Sequence, residues 1–515
     1  MATINTGLDN KRIAINMFFG IVVFAFNLFI SFFITPYITS TLGSEAYGFV
    51  KLANDFTSYA SLATIALNSM AIRFIMLERE KTNFKSAIEY YSSIELANIV
   101  LTVILIIPAT ICIIFLNSII NIPIELLTEV RLTFAITFLS FLLSLAFSIY
   151  GNCFYLTNRL DISSICSAGA SIIRIVVILL LYFLFTPRIS YLAIGSLFST
   201  IFSLLINWYY HKKLTPDLIL NKHAIVKNKV WEVFKSGIWN SITKLSQIFS
   251  SGLDLLVSNL LLGATNMGYL SIAKTVPNII TSFNSTLAST FSPNMMSLYA
   301  RGNINQLKTA SKSAMKFMCL FVTIPNAILI TMGQEFFTLW VPEQPAQLIN
   351  ILSILTVINS CITGPLQPLY QIFTITNKIK QSSIVMIIYG FSSILVTVVC
   401  LHITDWGLYA VAGVSLVGSV IVALCYHLPF SAIYIGLPWY TFFPEILKGI
   451  ISLAVQCLVG GTVNFFLVLE SSWISWFSGA VLSAIIGLIL NALLILNADE
   501  RKVLISTVIS KIKRR

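Results

Sequence analysis

Charge is scarce in this chain: only 10% of its 515 residues are Asp, Glu, Lys or Arg, against about 25% in soluble proteins. That excludes a soluble globular domain as the bulk of the molecule. Pairs and clusters of ligating residues are also missing. The eight cysteines (Cys112, Cys153, Cys166, Cys319, Cys361, Cys400, Cys425, Cys457) are scattered through apolar segments with no CxxC spacing. They read as small core residues, not as metal ligands or a disulfide framework. The four histidines form no group: His211 and His223 sit in a basic stretch, and His402 and His427 sit at segment ends. There is no P-loop, no GxGxxG turn and no DxD pair, so neither an ATP-driven pump nor a nucleotide-sugar enzyme fits, and no cofactor is expected. Long loops are lacking as well, the longest connection being about 27 residues, which leaves no place for a separate soluble domain. Lys11 and Arg12 precede an apolar run, Ile13 to Ile38, that is too long for the h-region of a cleaved signal.

What fills the chain is hydrophobic sequence: 57% of all residues, with a mean hydropathy of +0.88. Apolar runs recur, each near the roughly 20 residues a helix needs to cross a bilayer. Fourteen spans are expected, among them 13–38, 50–75, 92–116, 238–262 and 267–292, in an all-α polytopic membrane protein. The net charge of +12 does not point to nucleic acid, because the basic residues fall in alternate loops. With the amino terminus inside, 25 of the 32 Lys and Arg lie in inside loops, and the outside loops hold Arg131 and Arg188 beside Glu45, Glu125, Glu335, Glu343, Asp405 and Glu470. The positive-inside rule then puts both termini in the cytoplasm.

The chain also repeats itself. Leu42-Gly43-Ser44-Glu45-Ala46-Tyr47-Gly48-Phe49 returns as Leu262-Gly263-Ala264-Thr265-Asn266-Met267-Gly268-Tyr269, an offset of 220 (262 − 42). Thr157-Asn158-Arg159 matches Thr376-Asn377-Lys378, Ile107-Pro108 matches Ile324-Pro325, and Ile122-Pro123 matches Val341-Pro342. A duplication of six spans predicts two pseudo-symmetric six-helix bundles of the same sense, related by an axis along the membrane normal, plus two carboxyl-terminal helices. The expected division is 1–215 for the first bundle, 216–235 for a basic linker, 236–430 for the second bundle, 440–498 for the extra helices and 499–515 for a basic tail.

Among the ionisable residues inside or at the edge of expected spans, seven carry the functional argument: Lys51, Asp55, Arg73, Arg174, Lys244, Asp254 and Lys274. A charge in hydrocarbon is costly and is rarely kept without a partner or a wet cavity. Five of the seven are cationic, so a cleft lined by these spans would favour an anionic ligand. Structural alternatives stand beside this reading. Lys51 and Asp55 are four apart and share a helix face. Arg73 is close enough to a span end to snorkel, and Asp254 pairs equally well with a lysine on a neighbouring span. Arg174, twelve residues into its expected span, is about 18 Å deep at 1.5 Å per residue, beyond easy snorkelling. Asn68 belongs to a run of Ser, Thr and Asn down the second span, mirrored by Thr275, Asn278, Thr281, Ser282, Asn284, Ser285 and Ser289 on the eighth. Such groups bind sugars or hold helices together.

With its six-plus-six spans, its Leu-Gly-x-x-x-x-Gly-aromatic turns and its two extra spans, the chain resembles the multidrug/oligosaccharidyl-lipid/polysaccharide (MOP) exporter superfamily, and within it the Wzx-type polysaccharide flippases. The resemblance implies a flippase, not an enzyme, working as a monomer in the bacterial inner membrane. It would move an undecaprenyl-diphosphate-linked oligosaccharide for O-antigen lipopolysaccharide, capsule or a related polymer by alternating access. It also implies Arg73, Arg174, Lys244, Lys51, Lys274 and Asn68 as substrate contacts. Asp55 and Asp254 become the candidates for H+ or Na+ coupling, and membrane lipids and a polysaccharide polymerase with its assembly proteins become the partners. The alternatives are a cation-coupled multidrug exporter or lipid II flippase of the same superfamily, and a membrane-embedded polymerase or ligase.

Overall fold

A hydrocarbon environment offers backbone groups no water, so a chain of long apolar runs has to satisfy its own N–H and C=O groups within helices. The computed structural model describes residues 19, 22–23, 25–157, 159–376, 378–467, 472–496 and 501, and these contain helices and no strand. The expectations on Lys11, Arg12, Asn158, Asn377, Glu470 and most of the tail at 499–515 lie outside the described residues.

The main helices in chain order are α1 (Thr35–Thr41), α2 (Gly43–Ala60), α3 (Leu62–Glu80), α4 (Phe84–Ile114), α5 (Leu127–Ala146), α6 (Leu160–Leu184), α7 (Ser190–Leu214), α8 (Lys227–Gln247), α9 (Asp254–Leu262) and α10 (Ala264–Ala273). They continue as α11 (Thr275–Ser289), α12 (Ser292–Ala300), α13 (Ile304–Trp340), α14 (Ala346–Leu366), α15 (Ile379–Ile403), α16 (Leu408–Val422), α17 (Phe443–Leu467) and α18 (Trp473–Ile495). Among the described residues, eleven stretches are long and apolar enough to cross a membrane, and α2 with α3 makes a twelfth that bends by 60°. The segments at 25–41 and 264–289 stand where the first and eighth spans are expected, which agrees with about fourteen. The second span is thus a bent pair and not the straight helix expected at 50–75. The break at Ser61 coincides with hydroxyls that turn back on the backbone: Ser61 Oγ donates to Ser58 O at 2.6 Å and Thr64 Oγ1 to Ser61 O at 2.9 Å. Ser and Thr bonding of this kind bends helices.

The duplication is written in backbone conformation as well as in letters. Gly43 and Gly263 both turn with positive φ, 86° and 91°. So do Thr82 (58°) and Gly302 (68°), again 220 apart (302 − 82). The following residues, Asn83 and Asn303, cap the next helices, each Oδ1 accepting a backbone N–H at 3.2 and 3.1 Å. Both capped helices, α4 and α13, carry an internal proline, Pro108 and Pro325. The second glycines of the repeated motif meet each other: a Cβ on Gly268 would lie 2.6 Å from the Ser44 carbonyl carbon, and one on Gly48 3.1 Å from Gly268 Cα. Thr82 occupies a conformation that costs a non-glycine residue about 1 kcal/mol or more, where the second copy has glycine. Thr82→Gly is therefore expected to stabilise the protein by about 1 kcal/mol, read as a rise in thermal midpoint of the purified protein in detergent.

The contacts part the chain into two compact units, residues 1–248 with 255–268 and residues 249–254 with 269–515. This differs from the 1–215, 216–235 and 236–430 division expected from the loops. The basic linker is shorter, because α8 begins at Lys227. Moreover, α8 packs on α3 inside the first unit. Ser241 Oγ donates to Leu62 O at 3.0 Å, and Asn240 Nδ2 to Ser69 Oγ at 3.0 Å. Part of the polar decoration of the second span therefore serves as interhelical bonding, worth about 0.6–2 kcal/mol per bond.

In the first unit α5 packs against α2, α4 and α7, and α7 also packs against α6. In the second, α13 packs against α14, α17 and α18. Asn491 on α18 fixes this last arrangement: it accepts from Ser452 Oγ and donates to Thr323 Oγ1 at 2.8 Å.

Candidate substrate chamber

Small polar side chains repeat at helical spacing on two helices of the first unit. On α5 and the turn after it they are Thr137, Ser140, Ser144 and Ser148; on α7 they are Ser196, Thr200, Ser203 and Asn207. Residues three and four apart share a face, and α5 and α7 are packed together, so the two stripes enclose space. One cavity of about 260 Å³ is lined by Asn54 and Thr57 of α2, by Thr137, Ser140, Phe141 and Ser144 of α5, by Arg174 of α6 and by Ser196 and Thr200 of α7. A second, of about 310 Å³, is lined by Ser144, Ser148, Ser199, Thr200, Ser203 and Asn207. Ser144 and Thr200 line both, so the two cavities adjoin, and together they make up a polar chamber inside the first unit.

The hydroxyls have a defined polarity. Thr137, Ser140, Ser196, Thr200 and Ser203 each donate to the carbonyl four residues earlier, at 2.7 to 3.0 Å. Their protons are engaged with the helices, and their oxygens present lone pairs to the cavity. Asn54 is spent in the same way, Nδ2 donating to Val50 O at 2.8 Å. The wall is therefore rich in acceptors. Its cation is Arg174, about 21 Å along α6 from Leu160 at 1.5 Å per residue. The Arg174 Nε is buried and has no hydrogen-bond partner among the described residues. A buried guanidinium nitrogen without a partner in a membrane bundle is an expense that a bound anion removes.

The other expected site residues fall elsewhere. Among the eight, Arg174 alone lines this chamber. Lys51 lies over the Tyr47 ring, 5.1 Å from its centroid, and Asp55 is half-buried on the same helix, α2. Arg73 is exposed on α3 and Lys244 half-buried on α8. Asn68 sits in a closed network: it exchanges hydrogen bonds with Asn98 at 3.1 and 3.0 Å, and Asn98 also donates to Ser148 Oγ at 3.0 Å. In the second unit Asp254 and Lys274 form an ion pair with both side chains 15% exposed, and Ser415 Oγ donates to Asp254 at 3.4 Å. These two take the structural alternative. Asp254→Ala, which removes the carboxylate paired with Lys274, is expected to cost about 3 kcal/mol, whereas Asp254→Leu combined with Lys274→Met should recover most of it, checked by thermal unfolding in detergent.

The hydroxyls of α5 and α7 and the carboxyl of Glu95 were not among the site residues expected from the sequence. Glu95 falls four residues into the third span expected at 92–116 but was not counted among the ionisable residues of the spans; α4 starts at Phe84, and Glu95 is 2% exposed inside the bundle.

A comparison with known families finds one match. Its sequence profile, described as "Polysaccharide biosynthesis protein", matches residues 13–299, more than half of the chain. The chain belongs to the polysaccharide biosynthesis protein family. A relative in Bacillus subtilis (strain 168), the uncharacterized membrane protein EpsK, is 27% identical over 501 residues, covering 96% of this chain and 97% of its own. Among solved structures, a lipid II flippase MurJ in an inward closed conformation is similar with a TM-score of 0.62 at 17% identity, over 92% of this chain and 98% of that one. An inward-facing multidrug resistance MATE transporter of the MOP superfamily is similar with a TM-score of 0.61 at 13% identity, over 87% and 98%. This family member thus has the helical fold of MOP transporters and flippases.

Proposed function

We propose that the chain is a flippase that carries an undecaprenyl-diphosphate-linked oligosaccharide from the inner to the outer leaflet of the bacterial cell membrane, for O-antigen, capsule or a related surface polymer. The observation that carries this reading is the acceptor-lined chamber with the buried Nε of Arg174, which has no hydrogen-bond partner among the described residues. Sugar hydroxyls donate hydrogen bonds and suit the oxygens of Ser140, Ser144, Ser196 and Thr200; a diphosphate accepts them and suits Arg174. The family description points to polysaccharide assembly, and one fold neighbour is named a lipid II flippase, which is the same general chemistry of a lipid-linked sugar. The cost of dehydrating a diphosphate is what keeps such a lipid in one leaflet, and a fixed cation along the path lowers it. Both termini face the cytoplasm in this account, as the loop charges require.

The test is reconstitution of the full chain in proteoliposomes with a fluorescent undecaprenyl-diphosphate oligosaccharide. The fraction of label accessible to a membrane-impermeant quencher reads flipping. Protein-dependent equilibration between leaflets is expected. No equilibration, together with efflux of a cationic dye, would replace the glycolipid reading with drug export.

A further inference from the structure

The polar chamber does not end at its wall. Ser148 Oγ, at its far end, accepts from Asn98 on α4 at 3.0 Å, and Asn98 lies three residues from Glu95 on the same helix face. Tyr150, two residues after Ser148, and Tyr91, one turn before Glu95, both lie within electrostatic reach of the Glu95 carboxyl. On α7, Asn207 of the chamber is one turn before His211. The His211 ring stacks on Tyr91 with centroids 5.3 Å apart and meets Tyr150 at 5.2 Å. The Tyr91 hydroxyl is 3.2 Å from His211 Nε2. A polar trail thus leads from Arg174 to a carboxyl group.

Glu95 is 2% exposed, and its Oε2 has no hydrogen-bond partner among the described residues. Tyr91 and Tyr150, the latter from the turn before α6, lie within reach of it, and Cys153, together with His211 of α7, stands around Tyr91. The segment before α8, bonded to Ser92 and Ser93 of α4, carries Lys222 and His223. The charges of α8 are engaged further along α4, Glu232 with the Tyr90 hydroxyl at 2.6 Å and Lys229 over the Tyr90 ring at 4.1 Å. On α3, Arg79 is paired with Asp217 at 3.0 Å. None of these cations forms an ion pair with Glu95 among the described residues. A lone carboxylate so placed carries an uncompensated desolvation cost that a bound proton removes.

We propose that Glu95 is a proton-binding site that fills from the Arg174 chamber, so that a proton on Glu95 and an anion on Arg174 favour each other's binding. The proton comes from hydronium in water reaching the chamber, forms the O–H bond of the Glu95 carboxylic acid, and returns to water on release; no other bond changes. The two ligands alter the charge of one bundle in opposite senses, and linkage makes the effect reciprocal. The anion half of this inference rests on the reading of the chamber as the substrate site. The proton half does not.

Two measurements on the detergent-purified full chain separate them. The first is an infrared titration with no ligand added. Wild type is expected to show a protonated-carboxyl carbonyl band that disappears as pH rises; Glu95→Gln should lack it, and Glu95→Asp should show it displaced. Identical bands in wild type and Glu95→Gln would overturn the proton site. The second is calorimetry of the undecaprenyl-diphosphate oligosaccharide in buffers of differing ionisation enthalpy. Wild type should take up protons on binding, and Glu95→Gln should not; equal uptake by both would overturn the coupling. A glycolipid that does not bind at all would overturn the flippase reading and the coupling together, while the infrared band would still decide Glu95.

Discussion

Replacing Arg174 by alanine is expected to slow flipping of the diphosphate-linked glycolipid by about 10- to 100-fold, the equivalent of losing one hydrogen bond to a charged group at roughly 1.5–3 kcal/mol. The fold should survive. The Arg174 Nε makes no hydrogen bond to the described protein, so truncation leaves no buried acceptor without a donor. Stability should change little or rise, since an isolated cation is removed from a low-dielectric site. Arg174→Lys separates charge from geometry: an ammonium keeps the charge but cannot span two phosphate oxygens as a planar fork does. Its rate should fall between wild type and alanine. Equal rates for wild type and Arg174→Ala, measured in the same vesicles at matched protein density, would make Arg174 a structural residue.

The second large effect comes from Ser144, which lines both parts of the chamber and is exposed to its interior. Ser144→Phe places a ring at this junction. Because the position faces open space, the substitution should alter stability by no more than about 0.5 kcal/mol, yet flipping should fall by about 100-fold or more as the passage between Arg174 and Ser148 closes, given that a small misplacement of bound groups alone costs that much. Ser144→Ala removes one acceptor and leaves the space, so it should retain most of the activity. A Ser144→Phe protein that flips normally would show that the glycolipid takes a route outside this chamber.

The sequence and the structure agree where the physics is local or strongly periodic. Apolar run length fixes the spans, and the repeat at Leu42 and Leu262 is matched by paired turns at Gly43 and Gly263. The caps Asn83 and Asn303 belong to the same duplication but were not read from the sequence, because the residues around them, Thr82 and Gly302, differ in type while sharing a conformation. The site was harder to read. The burial of Arg174 was legible because depth along an apolar helix is a simple count. Asp254 and Lys274 were not distinguishable from cleft residues, since only packing decides whether two charges twenty residues apart meet. The chamber itself was invisible: serine and threonine at helical spacing look alike whether they bond to a neighbouring helix, as Ser241 does to Leu62, or face a cavity, as Ser144 does. Glu95 lies inside the span expected at 92–116 and was passed over, because a single carboxylate near a span end reads as interfacial until packing shows it buried.

The most direct test of the central claim, that this chamber holds the anionic head of the glycolipid, is substrate protection of a cysteine placed within it. In a variant whose eight native cysteines are replaced, Ser144→Cys is labelled by a membrane-impermeant thiol reagent with and without the undecaprenyl-diphosphate oligosaccharide. The account predicts that the glycolipid slows labelling severalfold, that the same sugar on an uncharged lipid does not, and that Arg174→Ala abolishes the protection. Labelling at one rate in all cases would contradict it.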